Sequence, residues 1–300
     1  MTARRPSAPA TERALFVGDA VGAAAGGGAA AAADGAAAGD RPAATGPALD
    51  AFAGARDDPA LVVLEGFHAF KHALRFGAKV VAAATSDPAG LAALARELAP
   101  DVAARVTALA QPVTRERLRQ ISPRLPHTEV VAVARRPSFS AAAVLGARDH
   151  RPVVLLEDPR HLGNVGAVVR VAAAADAAAV VTTGARDPWD PAGVRGSAGL
   201  HFALPVGSVG RDTATALDAL ASAVVDGSRS LVALDPDGEP LGAGPLPAGA
   251  VLAFGTERHG LSDALLARAD RRLAIPMRAG VSSLNLATAV AAVLFAGRLG

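Results

Sequence analysis

The stretch IPMRAGVSSLNLATAVAAVLFAGRLG, residues 275–300, governs how the rest of the chain is read. An apolar segment interrupted by Pro276 runs into a turn at Gly280 and then into a long apolar helix. Ser283 stands where an N-cap is expected, with Leu284 and Asn285 just inside the helix. The unpaired N–H groups and partial positive charge of a helix N-terminus hold polar ligand atoms readily. Taken alone, the stretch also fits an ordinary strand–turn–helix unit that closes a domain. Two unusual segments upstream, at 155–170 and 254–261, set it apart.

In the first of these, the strand Val153–Glu157 runs into DPRHLGNVGAVVR, residues 158–170. Gly163 and Gly166 bracket Asn164 at the turn into a helix, where glycine permits close backbone approach and asparagine caps. Helical spacing puts Arg170 about two turns in, on the same side as Gly163 and Gly166. The segment lacks G-x-G-x-x-G, and Thr182-Thr183-Gly184 stands where a dinucleotide fold would carry an acidic residue.

Further along come a strand Ala179–Thr182, a rigid loop around Pro188 and Pro191, a short helix Ala192–Ala198 and a strand Phe202–Val206. A helix Thr213–Val225 and a strand Ser230–Leu234 precede the Gly/Pro-rich loop Asp235–Gly249. The segment VLAFGTERHGLSD, residues 251–263, is a strand ending at Gly255, with Glu257 and Gly260 before a helix capped by Ser262. Strands alternating with helices predict an α/β domain over 151–300, with a parallel sheet and a ligand at the C-terminal ends of its strands.

Residues 1–58 are Ala, Gly, Pro and Asp with few large apolar side chains. Such a composition buries too little surface to offset chain entropy, so a disordered tail is expected, with at most a short helix around Thr11–Val17. Order is expected from LVVLEGFHAFKHALRFGAKVVAAATS, residues 61–86. There a strand ends at Glu65-Gly66, and a helix puts Phe67, Phe70, Ala73 and Leu74 on one face. His68, Lys71, His72 and Arg75 fall largely on the other. Gly77 stops that helix ahead of a strand Val80–Ala84. Helices Ala89–Leu98 and Thr114–Ile121 and a strand Val130–Ala134 complete a small α/β module, 59–136. A linker, 137–150, joins it to the second domain, with Phe139 and Ala141–Leu145 apolar enough to pack.

Charge is uneven: residues 61–150 carry 12 basic and 7 acidic side chains, against near balance elsewhere. That pattern suits a polyanion, and equally a solvated helix face. The chain has no Cys, which excludes disulfides and thiolate metal sites, and its seven His form no H-E-x-x-H pair, so no metal is expected. Apolar runs are broken by Asp34, Asp176 or Asn285 before the roughly 20 residues a bilayer requires. Asp19 and Gly26-Gly27-Gly28 spoil a signal-peptide reading of the N-terminus, and a cytoplasmic protein is expected.

Three motifs thus stand in order: N-x-G-x-x-x-R at 164–170, G-x-E-x-x-G-L at 255–261, and I-P-M followed by S-L-N at 275–285. L-E-D-P precedes the first, and D-P…R-x-S-x-G lies between. The set resembles the SpoU/TrmH branch of the SPOUT methyltransferases over about residues 61–300. The L-E-G start, A-L-x-x-G and V-x-A-V-A of the first module resemble the substrate-binding domain of those RNA ribose methyltransferases, a fold shared with some ribosomal proteins. Pro126-His127-Thr128-Glu129 stands where that domain often has Gln-Gly, so no RNA contact is carried to that loop. Ala178 or Ala179 replaces a common Gly, Leu286–Thr288 a usual Val-Ser-Val, and Gly280 comes one residue late.

The resemblance implies a C-terminal trefoil knot, a homodimer and S-adenosylmethionine bound in the knot. It places the cofactor's adenosine at backbone groups near Gly255, Ile275 and Leu284, with Thr256, Met277 and Ser283 close by. It puts Arg170 at a ribose 2′-oxygen. A guanidinium with a pKa above ~12 is a poor base, so its role would be to stabilise the developing alkoxide and fix a neighbouring phosphate. A surface salt bridge from Arg170 to Asp158 or Glu257 is the structural alternative. Asn164 and Asn285 would orient the ribose and loop backbone, or cap. Glu257 would complement the helix dipole or partner Arg170. The implied activity is RNA 2′-O-ribose methylation, with large-subunit ribosomal RNA favoured and transfer RNA the nearer alternative; a non-catalytic RNA-binding protein of the same fold is the rival from another class.

Overall fold

The computed structural model describes residues 51–225, 229–256 and 259–299; the tail up to residue 50, with its Thr11–Val17 segment, and Glu257 lie outside the described residues. Two sheets organise the chain. The first comprises β1 (Leu61–Glu65), β2 (Val80–Thr85), β3 (Ala110–Pro112) and β4 (Val130–Arg135) in the order β1-β4-β2-β3, with only β2 and β3 parallel. Helices α1 (Phe67–Arg75), α2 (Pro88–Leu98), α3 (Ala103–Leu109) and α4 (Arg115–Ile121) belong to it. Asp87 and Thr114 cap α2 and α4 by accepting from Gly90 N and Arg117 N.

Three expectations for this half need correction. Residues 51–58, assigned to the tail, form turns in which Ala55 is buried and Arg56 pairs with Glu65 at 2.7 Å. α3 and β3 were not foreseen, because the Ala-rich run 103–112 shows no clear period. On α1, Phe67, Phe70, Ala73 and Leu74 are buried as their spacing predicts, but Lys71 is buried too and His72 is half-buried. Lys71 Nζ donates to the Leu98 carbonyl within the same half, whereas His72 is met by the second half of the chain, its Nδ1 2.7 Å from the Ala198 carbonyl.

The second sheet holds β5 (Val153–Leu156), β6 (Ala179–Thr183), β7 (Val206–Gly210), β8 (Leu231–Pro240), β9 (Val251–Phe254) and β10 (Arg271–Ala274). Its order is β10-β8-β9-β5-β6-β7 and every pairing is parallel. β5 and β9 are buried along their whole length, which accounts for their unbroken apolar sequences: a parallel sheet carries cover on both faces. The helices of this half are α5 (Ala141–Gly146), α6 (Leu162–Ala174), α7 (Pro191–Gly196), α8 (Thr213–Val225), α9 (Asp263–Arg268) and α10 (Leu286–Leu299).

Two boundaries differ from expectation. The segment read as a strand from Phe202 begins as a 3-10 turn, Leu200–Phe202, and β7 starts only at Val206. Buried His201 pins that turn, with Nε2 2.8 Å from the Pro188 carbonyl and Nδ1 2.7 Å from Ser197 Oγ. β8 runs to Pro240, into the expected loop, because Glu239 and Pro240 pair with Leu273 and Ala274 of β10. Among the described residues, no helix is long and apolar enough to cross a membrane.

Glycine sets the approach of α6 to α7. A Cβ on Gly166 would lie 2.2 Å from the Gly193 carbonyl oxygen and 2.8 Å from Gly196 Cα, so the two backbones touch. α7 also meets the first half: Arg195 donates to Glu65 at 2.5 Å. Nearby, Arg136 forms a two-pronged pair with Asp187 at 2.7 and 2.9 Å.

Candidate active site

A cavity of about 410 Å³ opens at the C-terminal ends of β9 and β10 and beside the middle of β8, just past its pairing with β9. Its walls include Leu234, Phe254, Leu261, Leu273 and Leu286, with the polar groups of Asp235, Thr256, His259, Ser282 and Ser283 among them. An apolar slot with a few polar groups, at the strand ends of an open parallel sheet, is the usual form of a small-ligand site. All six residues expected at the cofactor, Gly255, Thr256, Ile275, Met277, Ser283 and Leu284, line this one cavity.

The β9–α9 turn shows why its glycine is needed. Thr256 and Gly260 exchange backbone hydrogen bonds, both 3.1 Å, and fold the loop back on itself. A Cβ on Gly255 would fall 1.9 Å from the Gly260 carbonyl carbon. Gly260 has φ +65°, in the left-handed region that favours glycine. Beyond the turn, the buried carboxylate of Glu157, at the end of β5, accepts from Ser262 N at 2.7 Å. Ser262 in turn caps α9 by accepting from Leu265 N, as expected.

The last helix starts two residues later than expected. α10 begins at Leu286, and its cap is Asn285, whose Oδ1 accepts from Ala287 N at 2.9 Å. Ser283 lies before the cap, in the loop facing the cavity. Asn285 can cap as well as serine, since its side-chain oxygen reaches the same N–H. Asn285 Nδ2 also donates to Asn164 Oδ1 at 3.2 Å. Asn164 itself is inside the first turn of α6, where His161 occupies the cap position; the expected asparagine cap there is corrected.

Arg170 stands apart from the cavity walls. Gly166, on its side of α6, packs against α7, and this stripe runs toward α1. Arg170 is exposed and forms no ion pair among the described residues, so a bridge to Asp158 is absent; Asp158 pairs with Arg160 instead. Burial first, then Arg75 and Arg170, hold the Lys71 ammonium of α1 below its usual range. The cavity residues Leu234, Asp235 and Pro236 escaped sequence reasoning, as did His259. Their position at the end of a parallel strand was the available signal. Among the described residues no cluster of three potential metal ligands occurs.

Residues 151–295 match the SpoU rRNA Methylase family. The chain is 34% identical over 174 residues to a 23S rRNA (uridine(2479)-2′-O)-methyltransferase of Streptomyces viridochromogenes, covering 56% of this chain and 58% of that one. It is 29% identical over 168 residues to the 23S rRNA (guanosine(2553)-2′-O)-methyltransferase RlmP of Bacillus subtilis, covering 56% and 63%. The chain thus spans about three-fifths of the length of these curated relatives. Among solved structures, the SpoU methyltransferase AviRb of Streptomyces viridochromogenes in complex with the cofactor AdoMet superposes with a TM-score of 0.66 at 27% identity, over 84% of this chain and 96% of that one. Residues 151–295 thus form a domain of the SpoU rRNA Methylase family, and the likeness to a solved SpoU methyltransferase extends across both halves of the chain.

Proposed function

We propose that the protein is an S-adenosylmethionine-dependent RNA 2′-O-ribose methyltransferase, with large-subunit ribosomal RNA as substrate. The observation that carries this reading is the convergence of Gly255, Thr256, Ile275, Met277, Ser283 and Leu284 on one cavity. The cavity's size and apolar walls suit an adenosine, and the turns at 255–260 and 275–284 offer backbone groups to read its base edge. S-adenosylmethionine held there supplies a methyl group already activated on a positively charged sulfur. What remains for the chain is to orient a ribose 2′-hydroxyl and stabilise the charge that develops as its proton leaves. Arg170 serves that charge, Asn164 and Asn285 fix the loop that faces it, and Glu257 supports Arg170. Ribosomal RNA is favoured because the named relatives act on 23S rRNA. Transfer RNA is the alternative substrate.

Arg170 lies outside the cavity of its own chain, so the reading includes a homodimer in which a second copy presents its Arg170 to the cavity. The C-terminal half is further taken to be a trefoil knot, as the family resemblance implies. Residues 59–136 are read as the RNA-docking module, 137–150 as the linker and 151–300 as the methyltransferase domain, in a cytoplasmic protein that uses no metal.

Transfer of labelled methyl from S-adenosylmethionine to 23S rRNA, mapped to a 2′-oxygen, is expected; failure to bind the methyl donor by calorimetry would favour a non-catalytic RNA-binding role. Arg170→Ala is expected to abolish transfer while leaving donor affinity nearly intact. Mixing Arg170→Ala with a cavity-blocked Gly255→Val chain then decides the geometry. Recovered activity requires Arg170 to act across the dimer, and a mixture as dead as its components refutes that arrangement.

A further inference from the structure

Glu157 lies just past β5 and is 5% exposed, a depth at which a carboxylate requires hydrogen-bond donors. It holds both ends of the turn between β9 and α9. At the entrance its backbone N–H donates to the Phe254 carbonyl at 2.9 Å, where β9 ends. At the exit its Oε2 accepts from Ser262 N at 2.7 Å, one residue ahead of α9. The second bond joins residues 105 positions apart. Ser262 is fixed from its other side as well, because its Oγ accepts from Leu265 N. Between these two anchors, the reciprocal Thr256–Gly260 bonds of 3.1 Å close the turn.

What the clasp encloses is the wall of the cavity: Gly255, Thr256, Gly260 and Leu261 all line it, whereas Glu157 itself does not. A loop pinned at both ends keeps its backbone groups where a ligand meets them, and binding then pays less to order them. We propose that Glu157 is a positioning residue for the methyl donor, acting through the 254–262 turn that it clasps rather than by touching the donor. The sequence offered no sign of this, because the bond to Ser262 exists only once β5 and β9 lie side by side. The inference rests on the methyltransferase reading and adds to it a residue that sets donor affinity.

The test uses the full-length protein and two variants. Glu157→Met has a similar length and removes the acceptor; Glu157→Gln keeps an oxygen for Ser262 N. In Glu157→Met the KM for S-adenosylmethionine is expected to rise at least ~10-fold, while kcat at saturating donor and the KM for RNA stay within ~2-fold. Glu157→Gln should bring the donor KM back to within ~3-fold of wild type. A residue that merely supported the fold would move kcat and both KM values together. Amide hydrogen exchange over 255–262 in the ligand-free protein should quicken at least ~10-fold in Glu157→Met and not in Glu157→Gln. Exchange reads the clasp even if the unmodified protein fails to bind the donor, an outcome that would sink the methyltransferase reading alone. A donor KM unchanged in Glu157→Met, a loss confined to kcat, or unchanged exchange overturns the proposal.

Discussion

Asn285 Nδ2 donates to Asn164 Oδ1 at 3.2 Å, joining residues 121 positions apart, while Asn285 Oδ1 caps the last helix through Ala287 N. One amide thus ends the cavity loop and ties it to the first turn of α6. Replacing it by aspartate separates the two duties. Asn285→Asp keeps an acceptor for Ala287 at a helix N-terminus, where negative charge is favourable, but removes the donor. The expected outcome is near-normal thermal stability with methyl transfer down at least ~10-fold, whereas Asn285→Ala should also lose about 1 kcal/mol of cap energy. Full activity in Asn285→Asp would show that the bond to Asn164 has no part in the reaction.

The α6–α7 contact predicts opposite behaviour for two glycines three residues apart. A methyl on Gly166 meets the backbone of Gly193, Gly196 and Ser197 within 2.8 Å, and backbone cannot swing aside as a side chain can. Gly166→Ala should cost about 1–3 kcal/mol in urea unfolding. Gly163 has nothing within 4 Å of the same position, and Gly163→Ala should be neutral or stabilise by up to about 1 kcal/mol. Similar effects at both sites would contradict the close packing.

These glycines also mark where sequence reasoning succeeded and where it stopped. Local rules reached most of the strands, though not β3 or the start of β7, together with Ser262 as a cap and Gly255 as a strand end, since each depends on neighbours a few residues away. Family resemblance brought Ile275, Met277 and Leu284 to the same site as Gly255. Helical spacing rightly set Arg170 on the side of Gly163 and Gly166, yet that side packs on α7 and runs toward α1, away from the cavity. Which surface a helix face meets is a tertiary fact that no period encodes. The same holds for His72, which meets the Ala198 carbonyl 126 residues away, for Lys71, which reaches the Leu98 carbonyl, and for Asp235, hidden in a segment whose glycines and prolines read as loop.

Glu65 is the clearest electrostatic tie between the two halves. Its side chain is 5% exposed and receives Arg56 at 2.7 Å, Arg195 at 2.5 Å and Ser122 Oγ at 3.2 Å. Burial pushes its carboxyl up, but Arg56 and Arg195 together outweigh burial and leave it below the ordinary 4.5. Glu65→Gln should therefore destabilise the protein at neutral pH by about 2 kcal/mol, a figure kept modest because both arginines are partly exposed. The lowered carboxyl means the contribution is present above pH 4.5 and fades as pH falls through the folded-state value. Wild type and Glu65→Gln should converge in stability in acid; a gap that stays constant from pH 7 to pH 3 would mean that charge is not the cause.

Histidine protonation governs a higher pH window. Burial drives the imidazole of His201 down from 6.5 to about 4, against the raising influence of the Pro188 carbonyl. His72 is lowered to about 4 as well, again chiefly by burial. Below pH 6.5 the unfolded chain takes up a proton at each position and the folded chain does not, so stability falls as pH drops from 6.5 toward 4. Each histidine contributes a slope of up to about 1.4 kcal/mol per pH unit in that window, and none above it. His201 is fully buried and packs at a tilt against Trp189 with ring centroids 5.0 Å apart, so His201→Gln should lower stability at pH 7.5 through lost packing. The same substitution should flatten the dependence between pH 6.5 and 5, where the paired carboxylates do not yet titrate. Urea unfolding at half-unit pH steps reads both effects, and a slope in the variant as steep as in wild type would place the acid sensitivity elsewhere.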